Sequence, residues 1–593
     1  MTDVLSRRDL DFLLYEWLDV ESLTARKRFS EHSKDTFDAV LDLCADIARK
    51  HFEPHNKLSD AVEPKMRPDG TVEMIDEVKA ALDIYASAGL IAGQFDESLG
   101  GMQLPATVAR AAMAWFQAAN ASTSAYPFLT MANANLIATY GTSTQIDDYV
   151  RPMLEGRFFG TMCLSEPQAG SSLADITTRA VKRDDGSYRI SGTKMWISAG
   201  DHELTENIVH LVLAKAAGGG AGVKGISLFI VPKVLPDGTR NDVTLVGLNH
   251  KMGNRGTTNT LLEFGDGTHS VAGEPGAIGY LVGEEHRGLS YMFHMMNEAR
   301  IGVGFLAISL GYVGYMKSLE YAKVRTQGRP LGMKDPSSPP VALIEHADVR
   351  RMLLAQKSYV EGALALGLYC SRLVDEQDTT EDDRLRAETT LLLDLLTPIA
   401  KSWPSQWCLE ANNLAIQVHG GYGYTRDYDV EQYYRDNRLN PIHEGTHGIQ
   451  GLDLLGRKVT MQGGAALGLL GTRIADTVQR ARELDAGTAG FSVQLETSWK
   501  NVLAVTATLW STGEPDVALA NSSVYLEAMG HIVIAWMWLE QLTAVYGKSG
   551  NFYDGKRQAA RYFFVYELPK VAPQLDLLSS LDRTTLDMDP AWF

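Results

Sequence analysis

Between Arg157 and about Glu285 the apolar residues of this chain alternate, and on either side they recur every three or four residues. A chain divided in this way holds a β domain between helical parts. Before the change, Phe37, Val40, Leu41, Cys44, Ile47 and Ala48 mark a helix that Pro54 is expected to stop. Residues 74–90 and 105–120 repeat the helical character, separated by Glu97–Leu104, which breaks on two glycines. The strand-like runs include Phe159–Ser165, Tyr188–Ser198, Asn207–Ala214, Ile226–Pro232 and Asn259–Phe264, with Asp184-Asp185-Gly186 as a hairpin turn. From Gly288 a helical stripe returns at Met292, Phe293, Met296, Ile301, Phe305, Ile308 and Tyr312. At 593 residues the chain is too long for one core. The expected architecture is multidomain and mainly α. An N-terminal helical domain spans 1–156, a central β domain 157–285 and a helical bundle 286–460. Beyond the linker at Gly463-Gly464, an additional C-terminal helical module spans 465–593.

The net charge of -18 argues against nucleic acid and anionic membranes as partners. The C-terminal part, 463–593, is also acidic, with 10 Lys/Arg against 14 Asp/Glu and a net charge of -4. The four cysteines, Cys44, Cys163, Cys370 and Cys408, stand far apart and read as buried reduced thiols. The first residues carry no signal-peptide pattern, and His531–Leu539 is too short to span a bilayer, so no stable membrane insertion and a cytoplasmic location are expected.

Two phosphate-loop patterns fail on context. Gly220–Gly225 fits G-x-G-x-x-G, but a strand rather than a helix follows it, so a hairpin loop is expected. Tyr546-Gly547-Lys548-Ser549 ends like a P-loop, yet Leu542 stands where that motif's first glycine would be.

The segment Pro441–Gln450, PIHEGTHGIQ, supports two incompatible chemistries. His443-Glu444-Gly445-Thr446-His447 matches H-E-x-x-H, in which two histidines on one helical face hold zinc. Gly445 weakens such a helix by about 1 kcal/mol, and no third ligand follows at the required spacing, so no metal site is expected. The alternative rests on five segments in order: Cys163–Ser172 (CLSEPQAGSS), Lys194–Gly200 (KMWISAG), Arg325–Arg329 (RTQGR), Gln417–Tyr424 (QVHGGYGY) and finally Glu444-Gly445-Thr446. Together they resemble the acyl-CoA dehydrogenase family over about residues 37–460. The chain as a whole resembles its long members, among them 3-methylmercaptopropionyl-CoA dehydrogenases and long bacterial fatty acyl-CoA dehydrogenases.

This resemblance implies FAD as cofactor and Glu444 as the catalytic base that takes the α-proton of an acyl-CoA thioester. It implies FAD contacts at Cys163, Leu164, Ser165, Trp196, Ser198, Arg325, Gln417, Gly420, Gly421 and Thr446. Substrate contacts are implied at Ser171, Asn297, Arg300 and Gly445. Each residue type suits its part. An aromatic such as Trp196 can stack beside a flavin. Glycines let backbone amides approach a pyrophosphate, and an arginine supplies fixed positive charge. In the family, the arginine and glycine loops reach FAD of a neighbouring subunit, which implies a homodimer here, with an electron-transfer flavoprotein as acceptor. Some relatives carry their base on the long helix, at the position of Ala299. Glu298 is one residue away, a turn of about 100°, and so is expected to point elsewhere. His443, Gly448 and Ser172 depart from common family residues, and the arginine loop is one residue shorter. The acyl group remains open between a medium-to-long fatty chain and a short thioether chain. An acyl-CoA oxidase, a DNA-binding flavoprotein and a zinc hydrolase stand as alternative functions.

Overall fold

A computed structural model describes residues 3–593 except Leu331 and Lys334, with the side chains of His294 and Asn297 left undescribed. The chain folds into two compact units. One comprises 38–105 and 115–299, and the other comprises 1–37, 106–114 and 300–593.

The unit of 38–105 and 115–299 holds the β structure. A small hairpin joins β1 (Lys65–Met66) and β2 (Val72–Glu73). The main sheet has eight strands: β3 (Phe158–Cys163), β4 (Arg179–Lys182), β5 (Tyr188–Ser198), β6 (Asn207–Ala216), β7 (Ile226–Pro232), β8 (Val243–Leu248), β9 (Asn259–Phe264) and β10 (Ala277–Leu281). Their order is β10-β7-β6-β4-β5-β9-β8, with β3 parallel to β6. Because β10 pairs with both β7 and β5, five strands close on themselves. Inward side chains including Tyr188, Ile190, Val212, Phe229, Val231, Leu262 and Phe264 fill the interior. The two-residue spacing of Tyr188 and Ile190 on β5, Phe229 and Val231 on β7, and Leu262 and Phe264 on β9 places each pair on one face of its strand. The turn at Asp184-Asp185-Gly186 joins β4 to β5, with Gly186 at φ 84°, as the sequence implied. Gly222–Gly225 is a single 3-10 turn between antiparallel β6 and β7, so the G-x-G-x-x-G pattern opens no α-helix.

Helices Asp76–Ser87 and Ala106–Ala119 stand where the periodicity put them. The expectation for Pro54 needs correction. The α-helix Lys34–Ile47 ends before it, and the backbone continues in helical hand through Pro54 into Asn56–Ala61. Pro54 sits in the first positions of a short turn, where its missing N–H removes no bond.

Helix Gly288–Val324 runs 37 residues. It is the one described helix long and apolar enough to cross a membrane, but 89% of its apolar window is buried within the protein. In the other unit, Ala347–Thr379 and Asp383–His419 pack as an antiparallel pair. The helices after Gly463-Gly464 join the same unit. Ser522–Val545 is buried on almost all sides, which explains the unbroken apolar run His531–Leu539, and Trp538 Nε1 donates to Ser358 O at 3.1 Å. Lys556 forms buried ion pairs with Asp9 and Glu361, tying the N-terminal segment and Ala347–Thr379 to the C-terminal helices. Breaking one partner of such a pair costs about 3–5 kcal/mol.

Candidate active site

Glu444 lies in the turn between helices Val430–Asn437 and His447–Gly456. Two consecutive residues here adopt left-handed backbone, Glu444 at φ 52° and Gly445 at φ 88°. For glutamate this conformation costs about 1–2 kcal/mol, so the surroundings must hold it. Gln450 Nε2 donates to Glu444 O at 2.9 Å, and Lys401 Nζ donates to Gly445 O at 2.6 Å and to Asn440 O at 2.8 Å. Thr446 caps the following helix by accepting from the Ile449 N–H at 3.4 Å. A buried run of carboxamides fixes the preceding chain. Asn412 donates to Leu310 O, Asn437 to Asn412, and Asn440 to Asn437, while His443 Nε2 meets Asn440 Oδ1 at 3.0 Å.

This geometry removes the zinc reading. His447 is the first residue of its helix, and two left-handed residues separate it from the His443 side, so the two imidazoles do not share a helical face. Burial pushes the His443 imidazole down to about 3, with the Lys401 charge adding to it. Burial likewise pushes His447 down to about 4. Among the described residues, no group of three or more His, Cys, Asp or Glu is placed to hold a metal ion.

Burial raises the Glu444 carboxyl above its ordinary range, while the Arg300 and Lys401 charges pull it back. A carboxylate in this state is a stronger base than a solvated one. Arg300 is buried, and its Nη1 lies 3.1 Å from Asp453 Oδ2, while among the described residues its Nε has no hydrogen-bond partner. Burial brings Lys401 down to about 7, with Glu444 pulling it up and Arg300 down. Thus Glu444, Gly445, Thr446 and Arg300 come together around Lys401 and Gln450. Sequence reading did not single out those two residues. The only signal for Lys401 was that it is the one charged residue in the stretch Leu395–Trp403.

A second cluster in the same unit gathers Arg325, Gln417, Gly420 and Gly421. Helix Asp383–His419 ends on Gly420, and Tyr321 stacks on His419 with ring centroids 4.2 Å apart. The Arg325 guanidinium lies 5.6 Å from the Tyr422 ring centroid. Arg325, Gln417, Gly420 and Gly421 are all exposed, and a Cβ added at either glycine would meet nothing within 4 Å. Backbone and cation therefore front onto open space, which suits an anionic ligand.

The β unit gathers its own set. Strand β5 carries a bulge between Lys194 and Ile197, and Trp196 stands there at φ 65° with 57% of its surface exposed. An exposed indole held by a bulge offers a flat apolar face for stacking. Ser165 O accepts from the Met195 N–H at 3.0 Å, which joins the end of β3 to the bulge. Leu164 O accepts from Lys194 Nζ, and Ser198 Oγ accepts from Asn259. Lys194 also pairs with Glu166 at 3.0 Å, both side chains almost fully buried. Burial alone would raise Glu166, but Lys194 and the hydroxyl and amide groups of Thr177 and Thr178 carry it down to about 2. The Cys163 thiol faces the sheet core and burial pushes it up to about 12, so only its backbone can meet a ligand. Ser171 is exposed. The side chain of Asn297 lies outside the described residues, while Glu298 accepts from Asn135 Nδ2 at 3.0 Å. Taken unit by unit, the exposed indole suits a flat flavin ring, and the open glycines with the exposed arginine suit its phosphates, so the residues present fit the parts of FAD.

Four family domains match the chain: Acyl-CoA dehydrogenase, N-terminal domain, over 35–157; middle domain over 161–266; C-terminal domain over 286–459; and Acetyl-CoA dehydrogenase C-terminal like over 470–589. The chain is 34% identical to a 3-methylmercaptopropionyl-CoA dehydrogenase of Ruegeria pomeroyi, covering 89% of each. It is 32% identical to a broad-specificity linear acyl-CoA dehydrogenase of Mycobacterium tuberculosis, covering 99% of each. In fold it is similar to an acyl-CoA dehydrogenase of Bacillus anthracis solved with FAD. The TM-score is 0.74 at 18% identity, over 98% of this chain and 95% of that one.

Proposed function

This chain belongs to the acyl-CoA dehydrogenase family, and we propose that it dehydrogenates a linear fatty acyl-CoA thioester of medium-to-long chain to the trans-2-enoyl-CoA. It is an oxidoreductase acting on a CH–CH group, with FAD as cofactor. The observation that carries the reading is the half-buried Glu444 carboxyl, raised by burial and held by a strained turn. The match over 99% of both chains to the broad-specificity linear acyl-CoA relative supports a linear acyl group.

Ser165, Trp196 and Ser198 would hold the flavin ring, and Arg325, Gln417, Gly420 and Gly421 the phosphates of FAD. Cys163 and Leu164, through their backbone, and Thr446 complete that set. When bound, FAD supplies the acceptor for the hydride that leaves the β-carbon. Glu444 takes the α-proton at its carboxylate, which its raised basicity favours. As the proton leaves, negative charge grows on the thioester oxygen, and the Glu444 backbone N–H is the donor proposed to meet it. Ser171, Asn297, Arg300 and Gly445 are proposed on the substrate side. Arg300, already paired with Asp453, would act there through its free Nε. An electron-transfer flavoprotein is the proposed acceptor of the electrons, and a homodimer the proposed assembly.

The thioether substrate is a second reading, favoured by the 34% identity to the 3-methylmercaptopropionyl-CoA enzyme. A panel of acyl-CoA thioesters, assayed on the FAD-loaded protein with an artificial electron acceptor, tests both. Fastest turnover of the short thioether substrate would replace the fatty acyl proposal. Failure of every acyl-CoA to bleach the flavin would reject the dehydrogenase reading.

A further inference from the structure

Lys401 is fully buried inside helix Asp383–His419. A buried lysine is rare without a paired carboxylate, because an ammonium loses its hydration there. Among the described residues, the hydrogen-bond partners of Lys401 are two carbonyl oxygens, those of Asn440 and Gly445, rather than an acid. Both acceptors flank Glu444.

We propose that Lys401 is a positioning residue for the reaction: it clamps the turn that carries Glu444 and supplies the positive charge that keeps that carboxyl ionised. The inference rests on the reading of Glu444 as base.

The clamp follows from the two left-handed residues. Each has a carbonyl, and each carbonyl is held by one side chain. Gln450, from helix His447–Gly456, takes Glu444 O, and Lys401 takes Gly445 O. Releasing the Gly445 carbonyl lets the turn relax toward ordinary backbone and carries the carboxyl away from its place. The charge follows from the surrounding groups. His443 and His447 are held neutral by burial, which leaves two cations acting on Glu444, Arg300 and Lys401. Arg300 spends part of its field on Asp453 at 3.1 Å, with Arg457 on the far side of that acid. Among the described residues Lys401 has no ion-paired acid of that kind, and its dependence on Glu444 is mutual, since Glu444 pulls the lysine upward against burial. Farther out, Arg438 and Glu527 act on His447.

The test uses the full-length FAD-loaded protein, an acyl-CoA that the wild type turns over and an artificial acceptor, followed from about pH 5 to pH 9. In Lys401→Met, kcat is expected to fall on the order of 100-fold with KM within about threefold, because a displaced base costs turnover more than binding. The acid limb of the pH profile is expected to move up by about one unit, because the carboxyl loses a neighbouring cation. Lys401→Gln keeps a donor without the charge, so it is expected to lose less kcat and to show the same upward move. An unmoved acid limb in both variants overturns the proposal. If neither variant accumulates as flavin-loaded protein, the lysine serves the fold and the proposal is likewise overturned. A wild-type flavin that no acyl-CoA reduces is a separate outcome, which removes the dehydrogenase reading itself and the inference with it.

Discussion

Gln450 donates its side-chain amide to the carbonyl oxygen of Glu444 at 2.9 Å, across two residues in left-handed backbone. That bond comes from the first turn of the helix that the base precedes, so the helix and the base are set in register by one side chain. Among the described residues, the bonds that hold the turn come from Gln450 and Lys401 and not from the Glu444 side chain.

Replacing the carboxylate therefore leaves the site standing. Glu444→Gln is expected to retain FAD and stability while turnover falls by about 10²–10⁴-fold, the usual contribution of a general base. Flavin absorbance and steady-state rates on the same preparation check it. Wild-type turnover in this variant would refute the assignment.

Gly445 is constrained twice. Its φ is 88°, and an added Cβ would sit 2.5 Å from Gln450 Nε2, the atom that holds Glu444. Gly445→Ala is expected to cost about 1–2 kcal/mol of stability by denaturant unfolding, and to lower kcat by at least about tenfold because the base is displaced. Unchanged kcat would show that the turn tolerates movement.

In the β unit, Lys194 and Glu166 form a buried pair at 3.0 Å beside the bulge of Trp196. Lys194→Met leaves a buried carboxylate unpaired and is expected to cost about 3–5 kcal/mol. In the wild type, the folded pKa of Glu166 lies near 2, below its ordinary 4.5. The folded state thus binds fewer protons there than the unfolded chain. The stabilisation from this group is full above pH 4.5 and drains as pH falls toward 2. Denaturant unfolding as a function of pH measures both effects.

Arg325 is exposed, so its charge is free for a ligand and contributes little to folding. Arg325→Gln is expected to weaken FAD binding by about 10- to 100-fold, the loss of one charge-assisted contact, with the melting temperature of the flavin-free protein unchanged. Flavin titration and thermal unfolding of that form check the two halves separately.

Much of the fold was legible because local pattern and tertiary environment agree. Strands β5 and β9 appeared at their observed ends because their alternation suits strands with one face toward the core, and β7 because its short apolar run suits a strand buried on both faces. Strands β4, β8 and β10 were not among the runs singled out. Arg179–Lys182 is four residues with mostly exposed side chains, and its strand state comes from pairing with β5 and β6. Pro54 misled because a proline ends a helix only where its missing N–H is needed.

By itself the sequence determined the succession of helical, β and helical parts, and the glutamate–glycine–threonine segment that carries the base. Those depend on neighbours in the chain, through side-chain periodicity and the backbone freedom of Gly445. Only the tertiary structure decided that Lys401, 43 positions before Glu444, would clamp its turn, and that His443 and His447 would fall on different sides of a helix start. Those facts depend on which carbonyls a distant helix meets when it packs, and no local spacing encodes that meeting.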